Sequence, residues 1–140
     1  MITIEYTNDV LEGEPGPNLY WRGNPVDFLA LICHLHSLGS KEGIEIRLET
    51  IPLVRIIGAF SITARSSSEG SILCKMDVNT IFIDLTSSLW RQVLVKFLQI
   101  SFFPSHDYIE FPDLQLFENA NFIVSSEVHD PGNSCLDTDA

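Results

Sequence analysis

Lysine and arginine are scarce in this chain, and both of its ends lack them altogether. Only eight occur among 140 residues, against nineteen Asp and Glu, giving a formal net charge of −11. Residues 1–21 hold Glu5, Asp9, Glu12 and Glu14 with no basic side chain, and residues 97–140 hold eight acids with none. All the basic residues fall between Arg22 and Lys96, where seven acids accompany them. Binding nucleic acid draws on Lys and Arg displacing counterions from phosphates, and an anionic membrane surface asks for the same charges. The balance argues against both.

Cysteine is also sparse. Cys33, Cys74 and Cys135 are an odd set with no metal-ligand spacing, as expected of reduced thiols in a cytoplasmic protein, with Cys33 and Cys74 at or near the core. The opening residues do not read as a basic, apolar leader, so none is expected. The longest apolar stretch, Leu89–Phe103, is broken by Arg91, Gln92, Lys96 and Gln99, so it predicts an amphipathic helix and not a membrane span. Glycine-rich phosphate cradles are missing too. In Glu12-Gly13-Glu14-Pro15-Gly16-Pro17 the prolines remove N–H donors and the acids repel phosphate.

What is present is a core. The sequence is 45% apolar and carries nine Phe, enough at this length for one packed domain, which we place at 1–127, with 128–140 a polar, acidic tail. Ile2, Ile4 and Tyr6 alternate with polar residues and predict a strand, and Asn18–Gly23 predicts a second. Asn24 suits an N-cap, Pro25 the first helical position and Asp27 the positive helix end. Phe28, Leu31, Ile32 and Leu35 then follow at helical spacing, predicting a helix over Pro25–Leu38 stopped by Gly39.

From Ile44 to Leu85 the period is two: Ile44/Ile46/Leu48, Ile56/Phe60/Ile62/Ala64, Ile72/Cys74/Met76 and Ile81/Ile83/Leu85. Such alternation predicts an antiparallel meander with one face covered. A second helix is expected from Ser87 or Ser88 to Ser101, and further strands at Asp107–Phe111 and Phe122–Ser126. The fold class is thus α+β, an antiparallel sheet of about six to eight strands with two helices packed on one face.

Catalytic constellations are hard to assemble. Ser105-His106-Asp107 are neighbours on an extended chain, so their side chains point alternately away from each other. His34 and His36 sit about 200° apart on a helix and cannot share a metal. Glu110 and Asp113 could form an acid/base pair, but no substrate anchor accompanies them. We therefore expect no catalytic residues, no metal and no cofactor.

Asn18–Gly39 (Asn-Leu-Tyr-Trp-Arg-Gly-Asn-Pro-Val-Asp-Phe-Leu-Ala-Leu-Ile-Cys-His-Leu-His-Ser-Leu-Gly), followed by Ile-Glu-Ile-Arg-Leu at 44–48, resembles small bacterial immunity proteins. Phe-Phe-Pro-Ser-His-Asp-Tyr-Ile-Glu-Phe at 102–111 looks like a block of the same kind. Members of such families bind and neutralise polymorphic or contact-dependent toxins, often basic nucleases. The resemblance implies a cognate protein toxin as partner and carries over no functional residue.

The charge pattern suits a basic protein partner, whose encounter it would accelerate, and equally suits mere solubility. The expected partner surface is Asp9, Glu12, Glu14, Asp107, Glu110 and Asp113. If the first and last strands lie near each other, the acidic ends form one negative surface; if they lie apart, the binding case rests on the family resemblance alone. A self-assembling scaffold or subunit, or an enzyme with a carboxylate/His site, remains the alternative.

Overall fold

In the computed structural model the described residues are 1–9, 17–59, 61–69, 71–75, 80–109 and 121–126. They form nine strands and two helices of 16 residues each. In chain order these are β1 (Ile2–Thr7), β2 (Asn18–Arg22), α1 (Pro25–Ser40), β3 (Glu45–Arg47), a 3₁₀ turn (Leu48–Thr50), β4 (Val54–Ile57), β5 (Ser61–Ser66), β6 (Ser71–Lys75), β7 (Thr80–Leu85), α2 (Ser87–Phe102), β8 (His106–Tyr108) and β9 (Asn121–Ser125).

The α+β class holds, but the single antiparallel sheet does not. Two mixed sheets are present, one ordered β4-β1-β2-β9-β8 and the other β3-β5-β7-β6. Parallel pairs occur in both, β1 with β4 and β2 with β9 in the first, β5 with β7 in the second. The expected meander fails for two reasons. β4 leaves the strands around it in sequence to join β1, and β6 forms its hairpin on the far side of β7, leaving β5 to meet β7 in parallel.

Both helices begin as their sequences dictate. Asn24 Oδ1 accepts from the Asp27 N–H at 2.9 Å, with Pro25 entering the first turn. Thr86 Oγ1 accepts from the Leu89 N–H at 3.2 Å, capping α2. Such caps are each worth ~1 kcal/mol.

α1 links the five-stranded sheet to the four-stranded one, and α2 returns the chain, so the helices lie antiparallel. Phe28 of α1 meets Phe97 of α2 with ring centroids 5.3 Å apart, while Arg91 near the start of α2 donates to the Gly39 carbonyl near the end of α1 at 2.7 Å. Gly39 therefore does not stop the helix, which runs on to Ser40. It is the point of close approach: a Cβ there would stand 2.9 Å from Arg91 Cγ and 3.3 Å from Leu94 Cδ1.

One continuous core fills the space between helices and sheets. Ile2, Ile4, Leu19, Trp21 and Val124 of the first sheet pack with Ile62, Ala64, Ile81 and Ile83 of the second and with Leu31, Leu35, Trp90 and Phe97 of the helices. Trp21 stacks on Phe122 at 5.3 Å and tilts against Phe97 at 5.3 Å. Full burial of side chains of this size contributes about 1.5–3 kcal/mol each. Cys33, expected near this core, is exposed on α1 because it lies well round the helix from Phe28, Leu31 and Leu35. No helix among the described residues is long and apolar enough to cross a membrane.

Candidate partner-binding surface

The pairing of β2 with β9 decides where the acidic segments attach. These strands run parallel from Asn18↔Asn121 to Arg22↔Ser125, so both start at the same end of the sheet. β1 finishes at that end, since Thr7 pairs with Asn18, and β8 finishes there too, Tyr108 facing Ile123. Two links depart from this end, 10–16 between β1 and β2, and 110–120 between β8 and β9.

A polar network ties their roots together. The Asn121 N–H donates to the Pro17 carbonyl at 2.9 Å, and its side-chain Nδ2 donates to Asn18 Oδ1 at 2.8 Å. Asn18 Nδ2 donates to the Asp9 carbonyl at 3.1 Å, and the Asp9 N–H to Thr7 Oγ1 at 3.0 Å. The Ile109 N–H reaches the Phe122 carbonyl at 2.9 Å. Asn18 is fully buried, which makes these bonds costly to leave unmade.

The charges divide sharply between this scaffold and its links. The described residues hold all eight Lys and Arg and nine of the nineteen carboxylates, a balance of −1. The other ten carboxylates fall in 10–16, 76–79, 110–120 and 127–140, segments without a single Lys or Arg. Glu12 and Glu14 belong to the first link and Glu110, Asp113 and Glu118 to the third, the two that share the β2–β9 end.

The tail takes a different origin. Ser126 donates its N–H to the Ser105 carbonyl at 3.0 Å, and Gly23 donates to the Ser125 carbonyl at 3.1 Å, at the opposite end of the sheet. Ser126, the last described residue, therefore lies at the end of the sheet opposite to Asp9, and β1 and β9 flank β2 without pairing with each other, while Glu127, Asp130, Asp137 and Asp139 lie outside the described residues.

Most acids within the scaffold are already engaged. Glu5 pairs with Arg22 at 2.8 Å, Asp84 with Arg65 at 3.5 Å, and Glu45 with the same Arg65 at 3.9 Å. Asp27 pairs with the Met1 amino group. Among the described residues, Asp9, Glu42 and Glu69 are the carboxylates in no ion pair.

Of the expected surface residues, Asp9 sits exposed at the β2–β9 end. Asp107 points to the helix side and pairs with Lys96 at 2.7 Å. Glu12, Glu14, Glu110 and Asp113 lie outside the described residues, on the two links rooted beside Asp9.

Glu49 is held most firmly. Its carboxylate accepts from Ser61 Oγ at 2.9 Å, the Ile62 N–H at 3.2 Å and Arg47 Nε at 3.0 Å. Burial pushes its pKa up, but bonds from its own backbone N–H, Ser61, Ile62 and Arg47 outweigh that and hold it below the ordinary value. The group fastens the 3₁₀ turn to β5.

Other chemistry finds little support among the described residues. His106 packs edge-on to Tyr20 at 5.9 Å, on the sheet face opposite to that of Asp107 and Lys96, so the Ser105-His106-Asp107 run does not converge. His34 and His36 are both exposed, and no group of His, Cys, Asp and Glu could hold a metal.

A shallow hollow of about 340 Å³ lies between Glu42–Glu45 and Arg65–Ser68. Two of its hydroxyls are committed: Ser66 Oγ donates to the Lys41 carbonyl at 2.8 Å, and Ser67 Oγ to Asp84 at 2.7 Å.

No family model matches this chain, and no curated protein or solved structure matches it either.

One surface went unnoticed in the sequence. Val95, Leu98, Phe102 and Phe103 are exposed on or just after α2, and Val26 and Leu29 on α1. The signal was available, because Val95 and Leu98 fall outside the arc Trp90, Val93, Phe97, Ile100 that faces the core.

Proposed function

We propose that this chain is an immunity protein that binds and neutralises a cognate toxin through the β2–β9 end of its five-stranded sheet. The observation that carries the reading is the common rooting of links 10–16 and 110–120. Each bears acids and no base, and both are tied into one network through Asn18 and Asn121. The end from which both links depart carries the exposed Asp9, the links themselves hold five acids and no base, and the described residues are nearly neutral. The acids of these links and the exposed Asp9 give the end a negative charge that attracts a cationic partner and speeds its encounter. The toxin as partner comes from the resemblance to immunity proteins; the electrostatic half of the reading stands on the charges.

The test is co-expression with the product of the neighbouring reading frame. Cells that this product poisons are expected to survive when the wild-type chain is present. Survival should be lost when Glu12, Glu14, Glu110 and Asp113 are all changed to Lys in a chain that still folds. A product that is harmless alone, or protection that persists in the reversed variant, overturns the proposal.

A further inference from the structure

The outer face of the helix pair is apolar and nearly uncharged in a chain of net charge −11. On α1, Gly39 marks the side turned to α2, and it lies only about 20° round the axis from Phe28. A further ~80° on the same side brings Leu29 to the outer rim of the groove between the helices. On α2, Leu94 marks the side turned to α1, and Leu98 stands about 100° from Phe97 on that side. Because Phe28 and Phe97 touch, Leu29 and Leu98 are at the same level along the pair. Val26 and Cys33 crown one ridge of this strip, and Val95 and Phe102 the other.

Charges avoid the strip. The helices contain three charged side chains, Asp27, Arg91 and Lys96. Asp27 is turned away and paired with the Met1 amino group, and Lys96 is turned away to Asp107. Arg91, with its guanidinium on the Gly39 carbonyl, and the exposed imidazole of His36, about 20° round α1 from Leu29, are the polar groups within the strip.

We propose that this face is the contact between two copies of the chain. Area and charge together select that occupant. Val26, Val95 and Phe102 are 72%, 51% and 65% exposed. At ~150–250 Å² for a whole aromatic side chain, these with Leu29 and Leu98 present roughly 450 Å² of apolar surface. That lies within the range of the largest patch of a monomer and is somewhat over half of the ~800 Å² each partner buries in a standard interface.

The basic partner of the sheet end finds no carboxylate here to answer its charge. A second copy brings the same neutral, apolar face and keeps its own acids turned away. Two antiparallel helices of equal length also form a surface with an approximate two-fold axis, so an identical pair stacks on it as a four-helix layer through an isologous contact.

The experiment is sedimentation equilibrium of the full chain from about 1 to 100 µM, the affinity range open to an interface of this size. The wild type is expected to reach twice the single-chain mass. Leu98→Glu and Phe102→Glu are each expected to return it to the single-chain mass with an unchanged circular dichroism spectrum, since both positions are exposed. Alkylation of Cys33, followed by peptide mapping, is expected to slow at least several-fold as the wild type is concentrated, and to be concentration-independent in both variants. A single-chain mass throughout overturns the proposal. So does a double mass that survives both substitutions, or protection of cells that fails in Leu98→Glu while the wild type is monomeric, which would give the strip to the toxin.

Discussion

Asn121 and Asn18, 103 positions apart in sequence, are joined side chain to side chain, Nδ2 to Oδ1 at 2.8 Å. The bond fastens the first residue of the last described strand to the first residue of β2. Asn18→Ala removes it and also frees the Asp9 carbonyl, in a residue with no exposure to water. Leaving such partners unsatisfied costs ~1–3 kcal/mol. Urea denaturation should show that loss for Asn18→Ala. The double variant with Asn121→Ala should cost less than the sum of the two single changes.

Glu49 should make the fold sensitive to acid. Its folded pKa lies below its unfolded one, so its contribution is fully present above the unfolded value and disappears as pH falls through the folded value. Glu49→Gln is expected to be less stable than the wild type at neutral pH, and the gap should close in acid. Glu49→Ala should cost about 1–3 kcal/mol, having left the Ile62 N–H and Ser61 without their acceptor. Thermal unfolding across a pH series measures both.

Two glycines with left-handed backbone should respond differently to alanine. Gly58 has φ of 87°, and a Cβ there would run into the Tyr6 carbonyl oxygen. Gly43 has φ of 84° with nothing near a Cβ. Gly43→Ala is expected to cost ~1 kcal/mol for the backbone conformation alone. Gly58→Ala should cost about 2 kcal/mol or more and loosen the β1–β4 pairing, read as faster amide exchange at the Ile2–Glu5 strand.

Asp107 should separate from the other expected contact residues. Its bond to Lys96 is partly solvated, so Asp107→Asn is expected to change stability by no more than ~1 kcal/mol. Affinity for the toxin should stay within about twofold, whereas the fourfold reversal of Glu12, Glu14, Glu110 and Asp113 removes it. Calorimetric titration of both variants against the same partner makes the comparison.

How far the sequence foretold this molecule depends on what each residue pattern encodes. Asn24, Pro25 and the Phe28–Leu35 stripe placed α1 to within two residues, because caps and helical spacing are local. Alternation at Ile62/Ala64 and Ile81/Ile83 identified β5 and β7 as strands. It could not tell that they run parallel, since period two records which face is buried and says nothing about the neighbour. The same blindness hid the departure of β4 to β1. Gly39 looked like a helix stop because its use against Arg91 depends on a residue 52 positions away. Cys33 was legible in principle, being far round the helix from Phe28. For the candidate surface, the acids of both links could be listed from the sequence, but their common root needed the β2–β9 pairing.

That pairing also governs how the molecule can be made. β9 sits between β2 and β8 in the interior of its sheet, yet its first residue follows that of β2 by 103 positions. Until β9 is synthesised, β2 presents an open edge carrying Leu19 and Trp21, and Trp21 lacks its stack on Phe122. Contacts this distant in sequence close slowly, and an unfilled edge invites pairing with the wrong strand. Nascent chains stalled before residue 121 are therefore expected to remain bound by chaperones. Release with β9 complete should be the step at which protease resistance appears.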